Sequence, residues 1–440
     1  MMGEQLSSVP SVGIDGFNLV LPHGTGVATY GFALAEAVRS LGMPVEGLFG
    51  VPVGRDPRIR EVLFYEAMGR GLPPRQSPRW LRPVLDRWAV MRGLQPLEVA
   101  ESGRIERHGF VDRLPRFDRL MSAAFLFERA ERHFRRTLRF LEIDVPNPPA
   151  IMHWTYPIPL RVAGARNIYT LHDLVPLKLP FATLDRKRLY YRLVERCVRE
   201  ADHIVTVSES SRRDIIDLFN APEERVSNTY QHTPMPAMAP GELADVAAIF
   251  GVKPGAYFLY FGAIEPKKNI GRLVEAYLST DTKAPLVLVG ARAWQKDEEL
   301  RLVEAMARRA GPGGARIIQL DYLPRRLLMH LVRHARAVLF PSLYEGFGLP
   351  VLEAMQLGVP VVTGNKGSLP EVAGDAAITV DPYDVAALAA AIRRVDADAE
   401  LRVRLSQAGR AQAARFSLDQ HRRRLHAVYS GVLAATPRHA

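Results

Sequence analysis

Short apolar runs alternate with amphipathic stretches at regular spacing through the C-terminal half of the chain. The stretches between the runs, such as residues 270–278 and 300–309, carry apolar residues at helical spacing. This alternation is typical of a parallel sheet that helices cover on both faces. It predicts strands at residues 257–261, 285–289, 316–320, 337–340, 360–363 and 377–380.

The N-terminal half repeats this pattern less clearly. Apolar residues recur every three or four positions from Val27 to Leu41, which predicts a first helix, and Gly42 suits its C-cap. Residues 55–147 interrupt the alternation, and we expect them to form an Arg-rich, mainly helical elaboration. The strands predicted in this half are residues 12–15, 151–154, 168–172 and 204–207.

The length of the chain suggests two domains, because 440 residues are too many for one ordinary core. A Pro-rich stretch at residues 233–240 is the best candidate for a linker. We therefore predict α/β domains over residues 1–235 and 236–415. Residues 416–440 are predicted to form a final helix without a sheet of its own.

Composition excludes several classes of protein. The single cysteine, Cys197, excludes a disulfide framework. The sequence contains no run of eighteen apolar residues, so we expect no transmembrane helix. The N-terminus lacks the basic and apolar regions of a signal peptide, so we expect a cytoplasmic protein.

The net charge of +11 is concentrated between Arg55 and Arg139, where nineteen arginines and no lysine accompany eleven acidic residues. Aromatic residues such as Trp80 and Phe134 are interleaved with the arginines. A basic surface with apolar residues favours an anionic membrane as partner, and a solvated helical face fits equally well. No nucleic-acid-binding motif is present, so we do not expect nucleic acid as a partner.

Candidate functional residues are most closely spaced at residues 341–353, Pro-Ser-Leu-Tyr-Glu-Gly-Phe-Gly-Leu-Pro-Val-Leu-Glu. Glu345 and Glu353 lie on either side of a Gly-Phe-Gly turn that follows a predicted strand and opens a helix. Glycines let the backbone approach a ligand, and a helix N-terminus attracts an anion such as phosphate. The carboxylates can accept hydrogen bonds from the hydroxyls of a sugar and a ribose. The stretch therefore predicts a nucleotide-sugar site.

This stretch, with the motifs that continue to residue 375, resembles the family-4, group 1 glycosyltransferases, which retain anomeric configuration. The resemblance implies the GT-B fold, in which two Rossmann-like domains face each other across a cleft and the last helix returns to the N-terminal, acceptor-handling domain. It also implies that Glu345 lies by the donor sugar and diphosphate, and that Glu353 holds the ribose hydroxyls. The other donor-binding residues of this loop are then Gly346, Phe347, Gly348 and Leu349.

A second motif, Gly-Ala-Ile-Glu-Pro-Lys-Lys-Asn at residues 262–269, follows the first strand of the C-terminal half and opens a helix. Cations there can neutralise a diphosphate leaving group. The resemblance assigns this role to Lys268. The family's usual arginine after the glycine is replaced here by Ala263, and Lys267 can supply part of the missing charge.

Further candidates come from the N-terminal half. The resemblance implies a glycine loop, with Gly24 and Gly26, that approaches the diphosphate and the acceptor. It implies that His172 contacts the donor sugar, where the ring can donate to a hydroxyl, and that Asp173 supports it. Ser208 opens another matching segment and also suits a helix N-cap. Asp15 could face the acceptor or belong to a turn.

We therefore expect a retaining hexosyltransferase whose catalytic residues are Glu345, Lys268 and His172. No cofactor or metal is expected, because neither an Asp-X-Asp motif nor a histidine ligand spacing occurs. The sequence Glu-Pro-Lys-Lys-Asn resembles a variant common among bacterial mannosyltransferases and related deoxyhexosyltransferases, so GDP-mannose is the first donor hypothesis and UDP-hexose the second. The acceptor would be a glycan or lipid-linked saccharide in polysaccharide or glycoconjugate synthesis. A GT-B sugar-nucleotide epimerase and a non-catalytic nucleotide-sugar-binding protein are the alternatives.

Overall fold

Two large, mainly parallel sheets organise the described part of the chain, one in each half. The computed structural model describes residues 9–21, 26–71, 78, 80–82, 84, 86–87, 93–106, 108–110, 114–236, 249–290 and 316–436. The strands of the N-terminal half are β1 (Val12–Asp15), β2 (Val45–Phe49), β3 (Leu97–Glu98), β4 (Arg119–Ser122), β5 (Leu141–Ile143), β6 (Ile151–Trp154), β7 (Leu160–Val162), β8 (Arg166–Thr170), β9 (His203–Thr206) and β10 (Val226–Asn228). Eight of them form one sheet in the order β10-β9-β8-β6-β1-β2-β4-β3, in which only the β3–β4 pair is antiparallel. Strands β5 and β7 pair separately.

Within the described residues, the C-terminal sheet has six strands, all parallel. They are β11 (Phe258–Phe261), β12 (Leu286–Val289), β13 (Ile317–Leu320), β14 (Ala337–Phe340), β15 (Val361–Gly364) and β16 (Ile378–Val380). Their order is β13-β12-β11-β14-β15-β16. Strands β11, β12 and β14 are buried along their whole length, because both faces of the sheet are covered.

Helices connect many of these strands, and the ones named here are those of the described residues. In the N-terminal half they are α1 (Gly26–Ser40), α2 (Arg60–Arg70), α3 (Leu126–Thr137), α4 (Val175–Lys178), α5 (Lys187–Glu200) and α6 (Glu209–Phe219). In the C-terminal half they are α7 (Ile270–Leu278), α8 (Arg325–Arg333), α9 (Leu349–Gln356), α10 (Leu369–Ala373), α11 (Val385–Ala397), α12 (Ala399–Ala413) and α13 (Leu418–Ala434).

In both sheets the strand order reverses at a central strand. Strand β1 pairs with β2 on one side and with β6 on the other, and β11 pairs likewise with β12 and β14. Parallel α/β sheets bind ligands in the crevice that such a reversal opens beyond the carboxyl ends of the strands. The loops after β1, β11 and β14 therefore lie where this fold has room for a ligand.

The last helix, α13, packs against α1 of the N-terminal half. The hydroxyl of Tyr429 lies 2.7 Å from Nδ1 of His153, and Leu425 and Val432 join the hydrophobic core. Burial, with smaller contributions from neighbouring histidines, lowers the pKa of His153 to about 3, so this ring is neutral in the folded protein. The predicted GT-B architecture, with two Rossmann-like domains and a returning helix, is confirmed.

All ten predicted strands are present, with ends within two residues of the prediction. The predicted helical stretch at residues 300–309 lies outside the described residues. The expectation of a mainly helical segment at 55–147 missed β4, which adds to the main sheet beside β2. Strand β4 has only four residues and begins and ends with the polar Arg119 and Ser122, so it carries little strand signal.

Candidate functional site

Lys268 and Glu345 form a buried ion pair at the reversal point of the C-terminal sheet. Lys268 ends a 3₁₀ turn after β11, and Glu345 lies in the loop after β14. Lys268 Nζ is 2.5 Å from Glu345 Oε1, and the two side chains are 12% and 8% exposed. Burial favours the neutral carboxyl, but Lys268 and Lys267 outweigh it and lower the pKa of Glu345 below its ordinary value. Glu345 is therefore a charged acceptor in a partly dry site.

Lys267 lies among three carboxylates. Its Nζ is 3.6 Å from Glu265 Oε1. Burial disfavours its charged form, but Glu345, Asp173 and Glu265 together raise the pKa of Lys267 above that of an ordinary lysine. Because Asp173 belongs to the N-terminal domain, the charge of Lys267 is held between the two domains.

Asn269 fixes the turn that carries the two lysines. Its backbone is left-handed, with φ of 63°, and the side chain is buried. Nδ2 donates to the carbonyl oxygens of Pro341 and Pro382, at 3.1 and 2.6 Å. The backbone N–H of Leu343 also donates to the carbonyl of Lys267 at 2.8 Å. The lysine turn is thus tied directly to the loop that carries Glu345.

Gly346 allows close contact between the two domains. A Cβ at this position would lie 2.4 Å from the carbonyl oxygen of His172 and 2.9 Å from Cβ of Asp173. The absent side chain therefore makes room for the end of β8, a reason that the phosphate-loop interpretation did not anticipate. Gly348 is left-handed, with φ of 98°, and caps α9. Its missing Cβ would meet Leu369 at 2.8 Å.

The other predicted loop residues differ in position. Leu349 meets the start of α1, where a Cβ on Gly26 would lie 3.6 Å from Leu349 Cδ1. The N-termini of α1 and α9, one helix from each domain, therefore approach each other. Phe347 is buried, and its ring packs edge-on against Phe416 at 5.5 Å. Its side chain supports the loop from behind. Gly24 lies outside the described residues.

His172 sits just beyond the end of β8, with one ring nitrogen already occupied. Nε2 lies 2.8 Å from the carbonyl oxygen of Thr155, which can only accept, so Nε2 carries the proton. Burial lowers the pKa of His172, against smaller opposing effects from Thr155 and Asp173, so the ring is neutral. Nδ1 is then a hydrogen-bond acceptor. The ring can accept from a sugar hydroxyl through Nδ1, and it is not the donor that the sequence suggested. The edge of Tyr30 packs against it at 4.9 Å.

Asp173, Ser208 and Asp15 have structural partners. Asp173 Oδ1 accepts from the backbone N–H of Val175, the first residue of α4, at 3.0 Å. Ser208 caps α6 by accepting from the backbone N–H of Ser211 at 3.0 Å. Asp15 is buried and accepts from the backbone of Phe17 and Thr155, so it is a turn residue. Burial raises the pKa of Asp15 to about 6, although these hydrogen bonds oppose the shift.

Two residues that bridge the domains were not singled out from the sequence. Ser211 Oγ donates to the carbonyl of His172 at 2.7 Å, with a longer contact of 3.4 Å to the carbonyl of Gly346. Glu371 accepts from the backbone N–H groups of Glu209 and Ser210 at 2.7 and 3.1 Å. A carboxylate of the C-terminal domain thus caps α6 of the N-terminal domain. Glu371 follows a Ser-Leu-Pro signal for a helix start, but only the fold reveals its partner.

Glu353 is held by an arginine and by the predicted linker. Arg325 donates to Glu353 Oε1 at 2.9 Å, and the hydroxyl of Thr233 donates to the same oxygen at 3.2 Å. Arg325 also donates to the hydroxyl of Thr233 and the carbonyl of Pro234. Both contacts use Oε1, so the carboxylate is oriented with Oε2 available to further donors. Arg325 was missed, although a cation in the first turn of a helix opposes the dipole and marks an unusual position.

The site brings together most of the predicted residues at the two reversal points. Lys267, Lys268 and Glu345 lie beside the strand end that carries His172 and Asp173, while Glu353 lies one helix turn deeper in α9. Within the described residues, no group of three or more His, Cys, Asp or Glu side chains is placed to hold a metal ion. None of the described helices is long and apolar enough to cross a membrane.

Comparison with known families covers both halves of the chain. The family described as Glycosyl transferases group 1 matches residues 249–412, and Glycosyltransferase Family 4 matches residues 93–228. The chain is 39% identical to the O-antigen chain mannosyltransferase B of Escherichia coli over 264 residues, covering 58% of this chain and 67% of that protein. It is 29% identical to the serotype-specific mannosyltransferase WbdA of Escherichia coli over 281 residues, covering 60% of this chain and 33% of that protein.

Solved structures share the fold at low sequence identity. The crystal structure of Anabaena HepE in complex with UDP-glucose superposes with a TM-score of 0.64 at 14% identity. The superposition covers 96% of this chain and 100% of that one. At this identity the likeness establishes the architecture alone.

Proposed function

This chain belongs to the group 1, family 4 glycosyltransferases, and we propose that it transfers mannose from GDP-mannose to a hydroxyl with retention of configuration. The observation that carries the proposal is the cluster of Lys267, Lys268 and Glu345 opposite His172. A UDP-hexose is the second donor hypothesis. The mannose assignment is supported by the names of the two relatives reported above.

The reaction we propose depends on charge stabilisation. Negative charge builds on the departing diphosphate, and ammonium groups already fixed in a partly dry site stabilise that charge with little reorganisation. The ammonium of Lys268 has three donors, so it can keep its contact with Glu345 and also donate to a phosphate oxygen. Lys267 supplies the second positive charge in place of the arginine that Ala263 replaces. No metal takes part in this scheme.

We assign the sugar hydroxyls to two acceptors. The carboxylate of Glu345 and the unprotonated Nδ1 of His172 can each accept a hydrogen bond from a hexose hydroxyl. Other contacts hold both side chains in place. The remaining oxygen of Glu353 can accept from the ribose, with Arg325 and Thr233 holding the carboxylate in place. Charged hydrogen bonds of this kind contribute about 1.5–3 kcal/mol each.

The domain roles are part of the same proposal. Residues 1–235 would handle the acceptor, residues 236–415 the donor, and residues 416–440 would close the structure against the N-terminal domain. The acceptor we propose is a glycan or lipid-linked saccharide in bacterial polysaccharide or glycoconjugate synthesis. Work on such an acceptor would place the enzyme in the cytoplasm, at the inner face of a membrane. An epimerase and a non-catalytic binding protein are not favoured, since the curated relatives are named as transferases.

A thermal-shift screen with GDP, UDP, ADP and dTDP tests the donor class, because a ligand that binds only the folded state raises its stability. We expect GDP to give the largest shift. The matching sugar nucleotide should then be turned over with a mannoside acceptor, and NMR of the product should show the donor's α configuration. A product of inverted configuration would contradict retention, and stabilisation by none of the four nucleotides would contradict the proposed function.

A further inference from the structure

Helix α3 of the N-terminal domain separates two cavities of different character. One has a volume of about 660 Å³ and is largely apolar, with Phe127 and Phe134 among its lining residues. The other, on a different face of the helix, has a volume of about 590 Å³. The helix presents Arg129, Arg132, His133 and Arg136 to this second cavity, at the spacing of a single helix face.

Among the described residues that line the second cavity are four arginines, one histidine and one carboxylate, Asp86. Asp86 is buried, and its two oxygens bind different arginines. Oδ1 lies 3.2 Å from Nε of Arg129, and Oδ2 lies 2.9 Å from Nε of Arg132. One carboxylate therefore orients two guanidinium groups in this cavity.

Two further arginines, Arg87 and Arg136, also line this cavity. Across the described part of the chain, no carboxylate lies within ion-pair distance of Arg87 or Arg136. Burial lowers the pKa of His133, and the nearby charge of Arg136 lowers it further. Positive charges of this density repel one another, so an anion with two charges would be attracted to the cavity. Guanidinium groups match the oxygens of phosphate in paired hydrogen bonds.

We propose that this basic pocket, formed by Asp86, Arg87, Arg129, Arg132, His133 and Arg136, binds a phosphate-type anion. It lies on α3, outside the cluster that we assign to the donor, and it rests on the proposed function only in that the N-terminal domain receives the acceptor. The anion could belong to a phospholipid headgroup or to a phosphate or diphosphate free in solution. Trp80 and Val84, which are 75% and 64% exposed, precede Asp86 on the same segment. Exposed apolar residues beside a basic site suit a bilayer surface.

The test compares two double variants with the same change in charge. Arg129→Gln with Arg136→Gln removes two cations from the basic pocket. Arg135→Gln with Arg139→Gln removes two from elsewhere on the same segment, since Arg135 pairs with Glu131 and lines the apolar cavity. Each protein is titrated calorimetrically with inorganic phosphate and with pyrophosphate at constant ionic strength.

A Lys268→Ala background weakens phosphate binding at the proposed donor site, so the signal that remains reports mainly other sites. The ring signals of His133 in NMR spectra locate the anion directly, because this ring lines the basic pocket. In that background we expect a single site that shifts the His133 signals. The pocket variant should bind about tenfold to a hundredfold more weakly, because two charged hydrogen-bond donors are lost, while the control variant should bind like its parent.

Vesicles distinguish the sources of the anion. If the anion is a lipid headgroup, wild-type protein should float with anionic phosphatidylglycerol vesicles but not with neutral phosphatidylcholine vesicles. The pocket variant should lose this flotation, and the control variant should keep it. A soluble or acceptor phosphate requires binding of free phosphate or pyrophosphate without flotation. Either pattern supports the pocket. Equal losses in the two double variants, or neither flotation nor a shift of the His133 signals, would overturn it. Nucleotide affinity and transfer are measured in parallel, so a failure of the proposed function appears separately, as loss of donor binding in wild-type protein.

Discussion

Replacing Gly346 with alanine should impair catalysis far more than folding. The added Cβ would lie 2.4 Å from the carbonyl oxygen of His172, where ordinary contact is 3.4–4 Å. The loop carrying Glu345 and the strand end carrying His172 must then separate by about 1 Å, and a displacement of that size at reacting groups lowers rates about a hundredfold. The cost in stability should be about 1–3 kcal/mol, as for other overpacked sites.

Two further glycine substitutions serve as matched controls. In β2, a Cβ on Gly47 would lie 2.8 Å from Phe49 and 2.9 Å from Leu120, which is overpacking in the core. Gly47→Ala should therefore cost comparable stability without changing the turnover of the folded enzyme. In α13, Gly431 has nothing within 4 Å of its added Cβ, so Gly431→Ala should be neutral or slightly stabilising.

Urea unfolding gives the stability of each variant, and initial rates at saturating donor and acceptor give turnover. Nucleotide affinity is measured calorimetrically and should fall less than turnover in Gly346→Ala, because the diphosphate and ribose contacts we propose come from the C-terminal domain. Wild-type turnover in Gly346→Ala would refute the reasoning. So would a loss of turnover no greater than that of Gly47→Ala.

Four further outcomes are expected. Glu353→Ala should weaken binding of the nucleoside diphosphate by about 1.5–3 kcal/mol in calorimetry, and unchanged affinity would remove the ribose assignment. Lys268→Ala should lower turnover about a hundredfold and Lys267→Ala less, and small, equal effects would mean that the lysines only begin a helix. EDTA should leave transfer largely intact, whereas loss restored by magnesium or manganese would show a metal requirement. The pKa of His153 is about 3 in the folded protein and 6.5 for an ordinary histidine, which is the value we take for the unfolded chain. As the pH falls from 6.5 towards 3, the unfolded chain therefore binds a proton that the folded protein does not, and the folded state loses stability. His153→Gln should then reduce the slope of unfolding free energy near pH 5 by about 1.4 kcal/mol per pH unit, and an unchanged slope would contradict this.

Local pattern predicted the parts of the site that lie at strand ends. The C-terminal strands are buried on both faces and read as continuous apolar runs, so the positions of Lys268 and Glu345 at their carboxyl ends followed directly. The sequence did not predict which partner each of these side chains would contact. Which nitrogen of His172 is occupied depends on Thr155, seventeen residues away, and the bond of Arg325 to Glu353 depends on how α8 packs beside α9.

Residues 55–147 show the same limit. The arginine excess was visible in composition, but the faces on which the arginines lie were not. Arg132 and Arg136 line the basic pocket, whereas Arg135 lines the apolar cavity on another side of α3. Burial of Asp86 between two arginines comes from tertiary packing, because Asp86 is more than forty positions before its partners.

The central claim is that Lys268 and Glu345 receive the diphosphate of a sugar nucleotide, and calorimetry with GDP, GMP and guanosine tests it most directly. Wild-type protein should bind GDP much more tightly than GMP or guanosine. Lys268→Ala should lose about a hundredfold of the GDP affinity and leave guanosine affinity unchanged, because only the phosphate contact is removed. Equal affinity of wild-type protein for GDP and guanosine, or unchanged GDP binding in Lys268→Ala, would contradict the account. Binding of UDP in place of GDP, with the same dependence on Lys268, would keep the site and change the donor.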